Sequence, residues 1–328
     1  NKLIYVWFEA VIGYSSASKE WAKARGDADG WKRFWTGRAK SYYFIGKDNI
    51  VFHAMVWPAM LMAAGLEVPE TVFAHGFLLT KGEKMSKSKG NVMDPIPMLE
   101  KYGADNFRFW NASEGNLGSD FRCSEEKIAS SSKFLTKLWN VARFISSFPT
   151  VGEAKPTETD AWILAELSEL IGDCLRGYGD YNFFVPATRV KDFTWNLFAA
   201  HYVEMVKTRA YGRGCSEEEQ RAAWYTLHTC MRSILLLLAP ITPFITDYIW
   251  RALYSERSIH VEEFPRAEWK AGPKELTKKL VEFNSRIWNA KKEKGLSLKD
   301  KIEVEIPVDL RPLEKDLVAM HNIQKMAT

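Results

Sequence analysis

The segment K-G-E-K-M-S-K-S-K-G-N, residues 81–91, is the most informative stretch of the sequence for both fold and function. It gathers four lysines and two serines around Gly82 and Gly90. Glycine permits the backbone conformations of a mobile loop, while lysines and hydroxyls supply donors beside a single carboxylate, Glu83. Such a loop is suited to hold a polyphosphate during reaction. A solvated basic loop is the alternative that a lysine cluster alone would favour.

Three short apolar runs precede this loop and predict the buried strands of a parallel sheet. They are Leu3–Phe8, Tyr42–Ile45 and Val72–Ala74, and Ile50–Ala64 between them has the spacing of a helix. Strands and a helix in this order predict a parallel α/β sheet, whose ligands bind beyond the carboxyl ends of the strands. Polar residues and glycines that follow the strands are therefore candidates for a ligand site.

Aromatic and small residues near these strand ends predict a pocket for an apolar amino acid. They are Trp7, Ala10, Tyr14, Phe52, His53 and Trp57. Gly46 would let a ligand approach the backbone, and Asp48 could bind an ammonium group or a ribose hydroxyl. The alternative is that Trp7, Phe52 and Trp57 are core residues, which is the commoner role of isolated aromatics.

Five motifs in a fixed order resemble class I aminoacyl-tRNA synthetases and, within that class, the methionyl-tRNA synthetase family. They are V-W-F-E-A-V-I-G-Y, F-I-G-K-D-N, F-H-A-M-V-W-P-A-M, A-H-G-F and K-M-S-K-S-K-G-N. The resemblance covers roughly residues 3–115. It departs at Glu9-Ala10-Val11, where much of the family has Asp-Ala-Pro, and this affects the expected fine geometry of the pocket.

The resemblance implies a two-step reaction in which methionine is activated by ATP to an adenylate and then transferred to tRNA. It implies that the six pocket candidates bind methionine, and that Lys84 and Lys87 are the catalytic lysines, which neutralise charge on the leaving pyrophosphate. The implied ATP-binding residues are Gly46, Asp48, His75, Gly76, Lys84, Met85, Ser86, Lys87 and Ser88. ATP and Mg²⁺ are the implied cofactors, and no metal site made of protein residues is expected.

One motif of the class is missing from this sequence. Class I synthetases carry an H-x-G-H signature early in the catalytic domain, and His75-Gly76 is a different motif. The first residue is Asn rather than Met. We therefore expect a carboxyl-terminal portion whose partner is the amino-terminal half of the same enzyme, and which does not form adenylate alone.

Residues 121–270 show helical rather than strand-like spacing and predict a helical bundle. The amphipathic segments lie at 133–148, 163–174, 190–197, 227–238 and 244–250. Segments 134–144, 161–164 and 237–250 resemble the anticodon-binding domain of class I synthetases. Segment 134–144, Gly118-Ser119-Asp120 and H-Y-V-E-M-V-K at 201–207 are also similar to the valyl and isoleucyl enzymes. The candidate tRNA-binding residues are Lys133, Lys137, Trp139, Asn140 and Arg143. A solvated helix with Trp139 in the core is an equally weighted alternative.

Residues 271–328 predict a small α/β tail. Leu276–Lys294 is expected to be a basic helix that packs Phe283, Ile287 and Ala290 while Lys291, Lys292 and Lys294 stay in water. Ile302–Ile306 alternates as a strand, and Leu313–Met320 predicts another helix. The predicted fold is thus the second half of a Rossmann-like α/β catalytic domain over 1–120, an all-α anticodon-binding domain over 121–270, and this tail.

Composition narrows the class of protein without choosing the substrate. A hydrophobic content of 46% and a charged content of 26% are typical of a globular protein, and a net charge of +4 permits a polyanionic partner. Four separated cysteines and no membrane-length apolar run predict a reduced, cytoplasmic protein without membrane contact. The alternatives that stay open are a synthetase for valine, isoleucine or leucine, and a non-catalytic tRNA-binding module.

Overall fold

The computed structural model describes residues 5–37, 39–80, 82–86, 88, 90–270 and 274–324. The chain forms two compact units. The first comprises Asn1–Met93 with Glu114–Cys123, and the second comprises Asp94–Ser113 with Ser124–Thr328. The predicted domain boundaries near residues 120 and 270 stay predictions.

The first unit contains short parallel strands, which confirms the predicted α/β character. Its strands are β1 (Tyr42–Gly46), β2 (Thr71–His75), β3 (Leu78–Thr80), β4 (Glu83–Lys84) and β5 (Phe121–Arg122). Strands β1 and β2 pair in parallel, and β3 pairs with antiparallel β4 on one side and parallel β5 on the other. The two predicted strands 42–45 and 72–74 are thereby confirmed, whereas the sequence did not indicate β3, β4 and β5.

The strand predicted at Leu3–Phe8 is wrong where the structure describes it. Helix α1 spans Val6–Ala24, and Leu3 and Ile4 lie outside the described residues. Only Val11, Ser15 and Ala22 of α1 are buried, at the spacing of one helix face. A short apolar run cannot distinguish a buried strand from the first turn of a helix, and here the helical spacing further along the chain prevails.

The predicted helix over Ile50–Ala64 is confirmed and contains an irregularity. A π-helical turn, Phe52–Val56, leads directly into α2, Trp57–Ala63. Pro58 lies in the first turn of α2, where its missing amide N–H costs no hydrogen bond. His53 and Trp57 therefore come from adjoining helical turns, and both are buried.

The second unit is a helical bundle, as the amphipathic spacing predicts. Its helices are α3 (Pro95–Tyr102), α4 (Ala104–Glu114), α5 (Glu125–Ile145), α6 (Glu158–Gly179), α7 (Phe184–Asp192), α8 (Val203–Ala210), α9 (Glu217–Leu238), α10 (Pro243–Leu253), α11 (Lys274–Glu293) and α12 (Glu314–His321). A π-helical segment, Phe193–Tyr202, joins α7 to α8. Capping boxes at Thr157/Asp160 and Ser216/Glu219 satisfy the first amides of α6 and α9.

A buried ionic cluster ties four helices of the bundle together. The Arg209 guanidinium on α8 donates to Asp160 at 2.8 Å, to Asp316 at 3.2 Å and to the Glu219 carbonyl at 2.8 Å. The Tyr202 hydroxyl also donates to Asp160, at 2.6 Å. Burial alone would lower the pKa of Arg209, but its hydrogen bonds to Asp160 and the charge of that carboxylate raise it. Arg209 therefore keeps its positive charge inside the protein.

The tail packs more closely than its basic composition suggests. Lys291 was expected to stay in water, which is wrong: it is only 1% exposed. Its Nζ donates to the carbonyls of Leu298, Asp300 and His321 at 2.7, 2.7 and 2.8 Å, so three acceptors replace water around the ammonium group. Phe283 is buried, as predicted.

The expected strand Ile302–Ile306 is shorter in the structure. Strand β6 covers only Ile302–Glu303 and pairs in parallel with β7, Ile323–Gln324. The predicted helix over Leu313–Met320 is confirmed as α12, preceded by a 3₁₀ segment, Val308–Leu313.

The sequence analysis also made predictions about membrane-spanning segments and cysteines. No helix among the described residues is long and apolar enough to cross a membrane. All four cysteines are free: Cys123, Cys174 and Cys230 are buried, and Cys215 is half-buried. Burial raises the pKa of the Cys174 thiol to about 12, which keeps it protonated and unreactive.

Candidate functional site

The carboxyl ends of β1 and β2 bring several candidate residues to one edge of the first unit. Gly46 and His75 are paired in register at the last position of the two strands. Asp48 follows β1 in a short 3₁₀ turn, and Gly76 follows β2. Parallel strands end at the same edge, so the predicted adenylate-binding residues of these two segments are neighbours.

An aromatic cluster lies between α1 and the helix that follows β1. The rings of Trp7 and Phe52 stack with centroids 4.5 Å apart, and the Tyr14 hydroxyl lies 2.9 Å from His53 Nε2. His53 Nδ1 lies 3.0 Å from the carbonyl oxygen of Asn49. Because a carbonyl can only accept, Nδ1 carries a proton, and in this tautomer Nε2 can accept from the Tyr14 hydroxyl.

The six predicted pocket residues divide into buried and exposed members. His53 and Trp57 are 5% and 3% exposed, whereas Trp7 and Tyr14 are 38% and 44% exposed. Trp57 Nε1 donates to the Tyr43 hydroxyl at 2.8 Å, and burial raises the pKa of Tyr43. Trp57 is thus buried and hydrogen-bonded, whereas Trp7 and Tyr14 are exposed, and amino-acid binding by these residues stays a prediction. Ala10 is exposed on α1.

Lys84 on β4 forms an ion pair with Asp48, which follows the end of β1. Its Nζ lies 3.2 Å from Asp48 Oδ2 and 3.8 Å from the centroid of the Phe77 ring. The ammonium group of Lys47 lies 4.4 Å from the same ring and donates to Asp120 at 2.7 Å. Two lysines thus converge on one aromatic ring, each with its own carboxylate.

The lysine loop is organised by Asn91. Its side-chain oxygen accepts from the Ser86 amide at 2.8 Å, and its side-chain nitrogen donates to the Lys84 carbonyl at 3.2 Å. Ser86 and Ser88 are hydrogen-bonded through their hydroxyls at 2.7 Å. Met85 is half-buried beside them. Lys87, the second predicted catalytic lysine, lies outside the described residues.

Asp120 and Phe77 are two residues of this site to which the sequence analysis assigned no role. Asp120 Oδ1 accepts from both Lys47 and the Phe77 amide at 2.7 Å, and these donors hold the pKa of Asp120 below its usual value. A carboxylate 43 positions away in the chain could not be placed beside Phe77 from local patterns. The available signal was Gly118-Ser119-Asp120, a turn-like sequence directly before Phe121.

Close packing against a neighbouring backbone segment explains why residue 76 is a glycine. A Cβ atom at this position would lie 2.1 Å from the Ser119 carbonyl oxygen. Only glycine allows the segment after β2 to approach the 119–120 backbone, which holds Asp120 at the strand end. This structural role exists without any ligand. Its assignment to adenylate binding stays a prediction.

The predicted tRNA-binding residues on α5 fall beside two separate cavities of the helical unit. Trp139 and Arg143 border an apolar cavity of about 130 Å³, where Trp139 packs 5.7 Å from Tyr248. Lys133 borders a different cavity of about 660 Å³, beside which Lys137 lies 5.8 Å from the Trp195 ring. Asn140 is exposed. Trp139 is 41% exposed, so it is not a core residue.

Comparison with known protein families matches both units of the chain. A profile described as "tRNA synthetases class I (M)" matches residues 1–143, and one described as "Anticodon-binding domain of tRNA ligase" matches residues 160–306. These matches support the class predicted from the sequence motifs.

Curated relatives with high similarity are named for valine. Valine–tRNA ligase from Pyrobaculum aerophilum is 45% identical over 251 residues, which are 74% of this chain and 31% of that protein. Valine–tRNA ligase from Nanoarchaeum equitans is 31% identical over 329 residues, covering 99% of this chain and 42% of the relative. The chain thus spans well under half the length of these relatives.

Similar solved structures are named for methionine. Mycobacterium tuberculosis methionyl-tRNA synthetase bound by methionyl-adenylate has a TM-score of 0.62 and 29% identity, covering 75% of this chain and 49% of that one. A second structure of that enzyme with methionyl-adenylate has a TM-score of 0.64 and 28% identity, covering 83% and 55%. The sequence relatives and the structural relatives therefore carry different amino acids in their names.

Proposed function

We propose that this chain, which belongs to the class I aminoacyl-tRNA synthetases and carries their anticodon-binding domain, serves the ATP-dependent attachment of methionine to tRNA. The chemistry would proceed through methionyl-adenylate, with pyrophosphate as the leaving group. The chain spans about a third of the length of Pyrobaculum valine–tRNA ligase. The activity is accordingly proposed for the complete encoded protein.

The proposal of methionine is based on the Tyr14–His53 pair, 2.9 Å apart, together with the stacked rings of Trp7 and Phe52. A thioether is polarisable and makes favourable contacts with aromatic rings at about 5 Å. The long unbranched side chain of methionine could extend along these aromatic rings toward Tyr14. The solved relatives with bound methionyl-adenylate support the same substrate.

Valine is the second candidate, and the names of the curated relatives favour it. Its side chain is shorter and β-branched, so it would leave the Tyr14–His53 pair without a contact. Discrimination of one methylene group in an apolar pocket is worth only about 10- to 200-fold in kcat/KM. The two substrates must therefore be compared directly in one assay.

For the nucleotide, we propose that Lys84 exchanges its contact with Asp48 for the phosphates of ATP. Lys84 and Asp48 are both exposed, so replacing their ion pair by a stronger phosphate contact has little desolvation cost. Lys87 is proposed as the second phosphate contact. Little covalent chemistry then falls to the side chains, since positioning and charge stabilisation dominate such a transfer.

Mg²⁺ is proposed as the ion carried by the phosphates of ATP. In this binding mode it takes substrate phosphates, waters and only one or two protein carboxylates. The described residues contain no cluster of three or more His, Cys, Asp or Glu side chains that could hold a metal ion. Asp48 lies 3.2 Å from the Lys84 ammonium group, and its side chain is half exposed.

Amino-acid-dependent ATP–pyrophosphate exchange by the complete encoded protein tests the proposal. We expect exchange with methionine, and we expect Tyr14→Phe to raise the KM for methionine about fivefold to tenfold, the usual worth of one hydrogen bond. Tyr225→Phe in the helical unit is the matched control and should leave the KM unchanged. The 328-residue chain by itself is expected to show no exchange, because its sequence lacks H-x-G-H.

Two outcomes would overturn this assignment. Strong exchange with valine and none with methionine would assign the second candidate. No exchange with either amino acid, together with retained tRNA binding, would instead support a non-catalytic tRNA-binding module.

A further inference from the structure

Helix α5 separates two cavities of different chemistry within the helical unit. The smaller is lined by Trp139, Arg143 and Tyr248 and is largely apolar. The larger, which we call the α5–α7 groove, has a volume of about 660 Å³ and is lined by Ser130, Lys133, Phe134, Thr188, Arg189, Lys191, Asp192, Trp195 and Asn196. Only Lys133 of this lining was a predicted tRNA-binding residue.

The α5–α7 groove carries more positive than negative charge. Arg189 is compensated, since it donates to Asp173 at 2.8 Å. Asp192 accepts from the Asn196 side chain at 2.5 Å. Lys133 and Lys191 form no ion pair with any residue that the structure describes. The two ammonium groups thus outnumber the carboxylate of the groove lining, Asp192.

Trp195 adds an aromatic surface to this charge. It is 37% exposed, although it belongs to a π-helical segment whose Phe193 and Phe198 are buried. A π-helical turn contains an extra residue, and such turns are frequent at functional sites. Here the turn leaves Trp195 at the groove, with the Lys137 ammonium 5.8 Å from its ring.

Cations beside an exposed aromatic ring are the elements that bind an unpaired nucleotide. The base stacks on the ring, and the lysines contact the flanking phosphates. The groove volume lies in the range of roughly 300–1,000 Å³ that accommodates small organic ligands, whereas the Trp139 cavity, at about 130 Å³, lies below it.

We propose that the α5–α7 groove binds an unpaired nucleotide of tRNA, with its base on Trp195 and its phosphates on Lys133 and Lys191. The inference rests on the proposed function in one respect, namely that the RNA partner is a tRNA. The groove is a second RNA-binding site, on the opposite side of α5 from the Trp139 cavity. Ser130, Thr188 and Asn196 supply hydrogen-bond partners for the sugar or base edge.

Binding of a labelled methionine tRNA transcript to the 328-residue chain, followed by fluorescence anisotropy at several salt concentrations, tests this site. We expect Trp195→Leu to weaken binding about tenfold, with an unchanged salt dependence, and Trp195→Tyr to restore most of it. Lys133→Gln and Lys191→Gln should each weaken binding and reduce the salt slope by about one. Lys155 is an exposed lysine of the same unit, so Lys155→Gln is the matched control, and its affinity for the tRNA should be close to that of the wild type.

The possible outcomes separate this inference from the proposed function. If the groove variants bind as the wild type while Trp139→Leu and Arg143→Gln lose binding, the groove proposal is wrong and tRNA binding stands. If a fully base-paired RNA binds as well as the tRNA and Trp195→Leu has no effect, the nucleotide-stacking site is refuted. If the wild-type chain binds no tRNA, the proposed partner itself is wrong.

Discussion

Oppositely charged side chains meet in both units of this chain, but in different surroundings. In the first unit, Lys84 and Asp48 lie 3.2 Å apart with 54% and 50% of their side chains exposed. In the helical unit, Arg209 and Asp160 lie 2.8 Å apart with 3% and 0% exposed. A pair of a cation and a carboxylate is therefore exposed to solvent at the candidate active site and buried in the bundle.

This difference in exposure determines whether a charged pair can exchange partners with a ligand or mainly stabilises the fold. An exposed ion pair is worth about 0–1 kcal/mol, so a phosphate or an ammonium group can replace either partner at little cost. Breaking a buried pair by removing one partner costs about 3–5 kcal/mol, because the other charge is left without compensation. We therefore assign ligand exchange to the strand-end charges and architecture to the Arg209 cluster.

The largest expected effect comes from removing the buried cation. Arg209→Met leaves Asp160 and Asp316 facing each other inside the bundle, and we expect a loss of about 3–5 kcal/mol in the free energy of unfolding of the helical unit. Guanidinium unfolding followed by far-ultraviolet circular dichroism measures it. Arg266→Met is the matched control, since Arg266 and its partner Glu263 are 80% and 87% exposed, and its effect should stay below about 0.5 kcal/mol. A loss below about 1 kcal/mol for Arg209→Met would contradict the comparison.

The next effect is an acid destabilisation centred on His321. Burial, followed by the charges of Lys291 and His201, lowers the pKa of His321 to about 4. Above about pH 6.5, His321 is neutral in both the folded and the unfolded chain, so its protonation does not lower the free energy of unfolding. As the pH falls toward 4, the unfolded chain takes up a proton that the folded chain does not, so stability is lost by up to roughly 3 kcal/mol.

Urea unfolding at several pH values between 7.5 and 4 measures this loss. His321→Gln removes one titrating group, so the slope of unfolding free energy against pH should become shallower than in the wild type. Burial also lowers the pKa of His201 and His228, so part of the slope should remain. An identical slope in His321→Gln and wild type would show that His321 does not contribute.

The sequence predicts those parts of the fold that depend on local spacing. In α9, six apolar residues repeat with the helical period and are buried as expected: Leu227, Cys230, Met231, Ile234, Leu237 and Leu238. Strands β1 and β2 are short apolar runs with turn residues after them, and both are confirmed. At Val6–Phe8 the same local pattern fails, because a run of three apolar residues fits one helical turn as well as a strand.

The sequence does not predict contacts between residues that are far apart in the chain. Lys291 looks like any solvated lysine, and its burial depends on carbonyls that the chain brings to it from Leu298 to His321. Phe77 meets Asp120 for the same reason. The strand-end candidates Gly46, Asp48 and His75 could be predicted, since parallel strands place them at one edge. The ligand that these residues bind cannot be predicted from local sequence patterns.

A smaller effect is expected at the aromatic ring between the two lysines. Phe77→Leu removes the ring that lies 3.8 Å from Lys84 and 4.4 Å from Lys47. An exposed cation–π contact is worth about 0.5–1 kcal/mol, so the KM for ATP in pyrophosphate exchange by the complete protein should rise roughly twofold to fivefold. Phe77→Tyr should restore it, and Phe44→Leu, an exposed phenylalanine on β1, is the control. A kcat effect with an unchanged KM would contradict a role in holding Lys84 for ATP.

The smallest expected effect concerns the stability of the exposed pair itself. Asp48→Asn removes the carboxylate but keeps a side chain of the same shape, and water already solvates half of both partners. We therefore expect the hydrogen-exchange protection of β1 and β2 to change by less than about 0.5 kcal/mol in opening free energy. The same substitution should alter ATP binding by the complete protein, because Lys84 would no longer be held beside the strand end by an opposite charge. If Asp48→Asn instead lowered protection by more than about 2 kcal/mol, the pair would be structural like Arg209–Asp160. The distinction between exchangeable charges in one unit and fixed charges in the other would then fail.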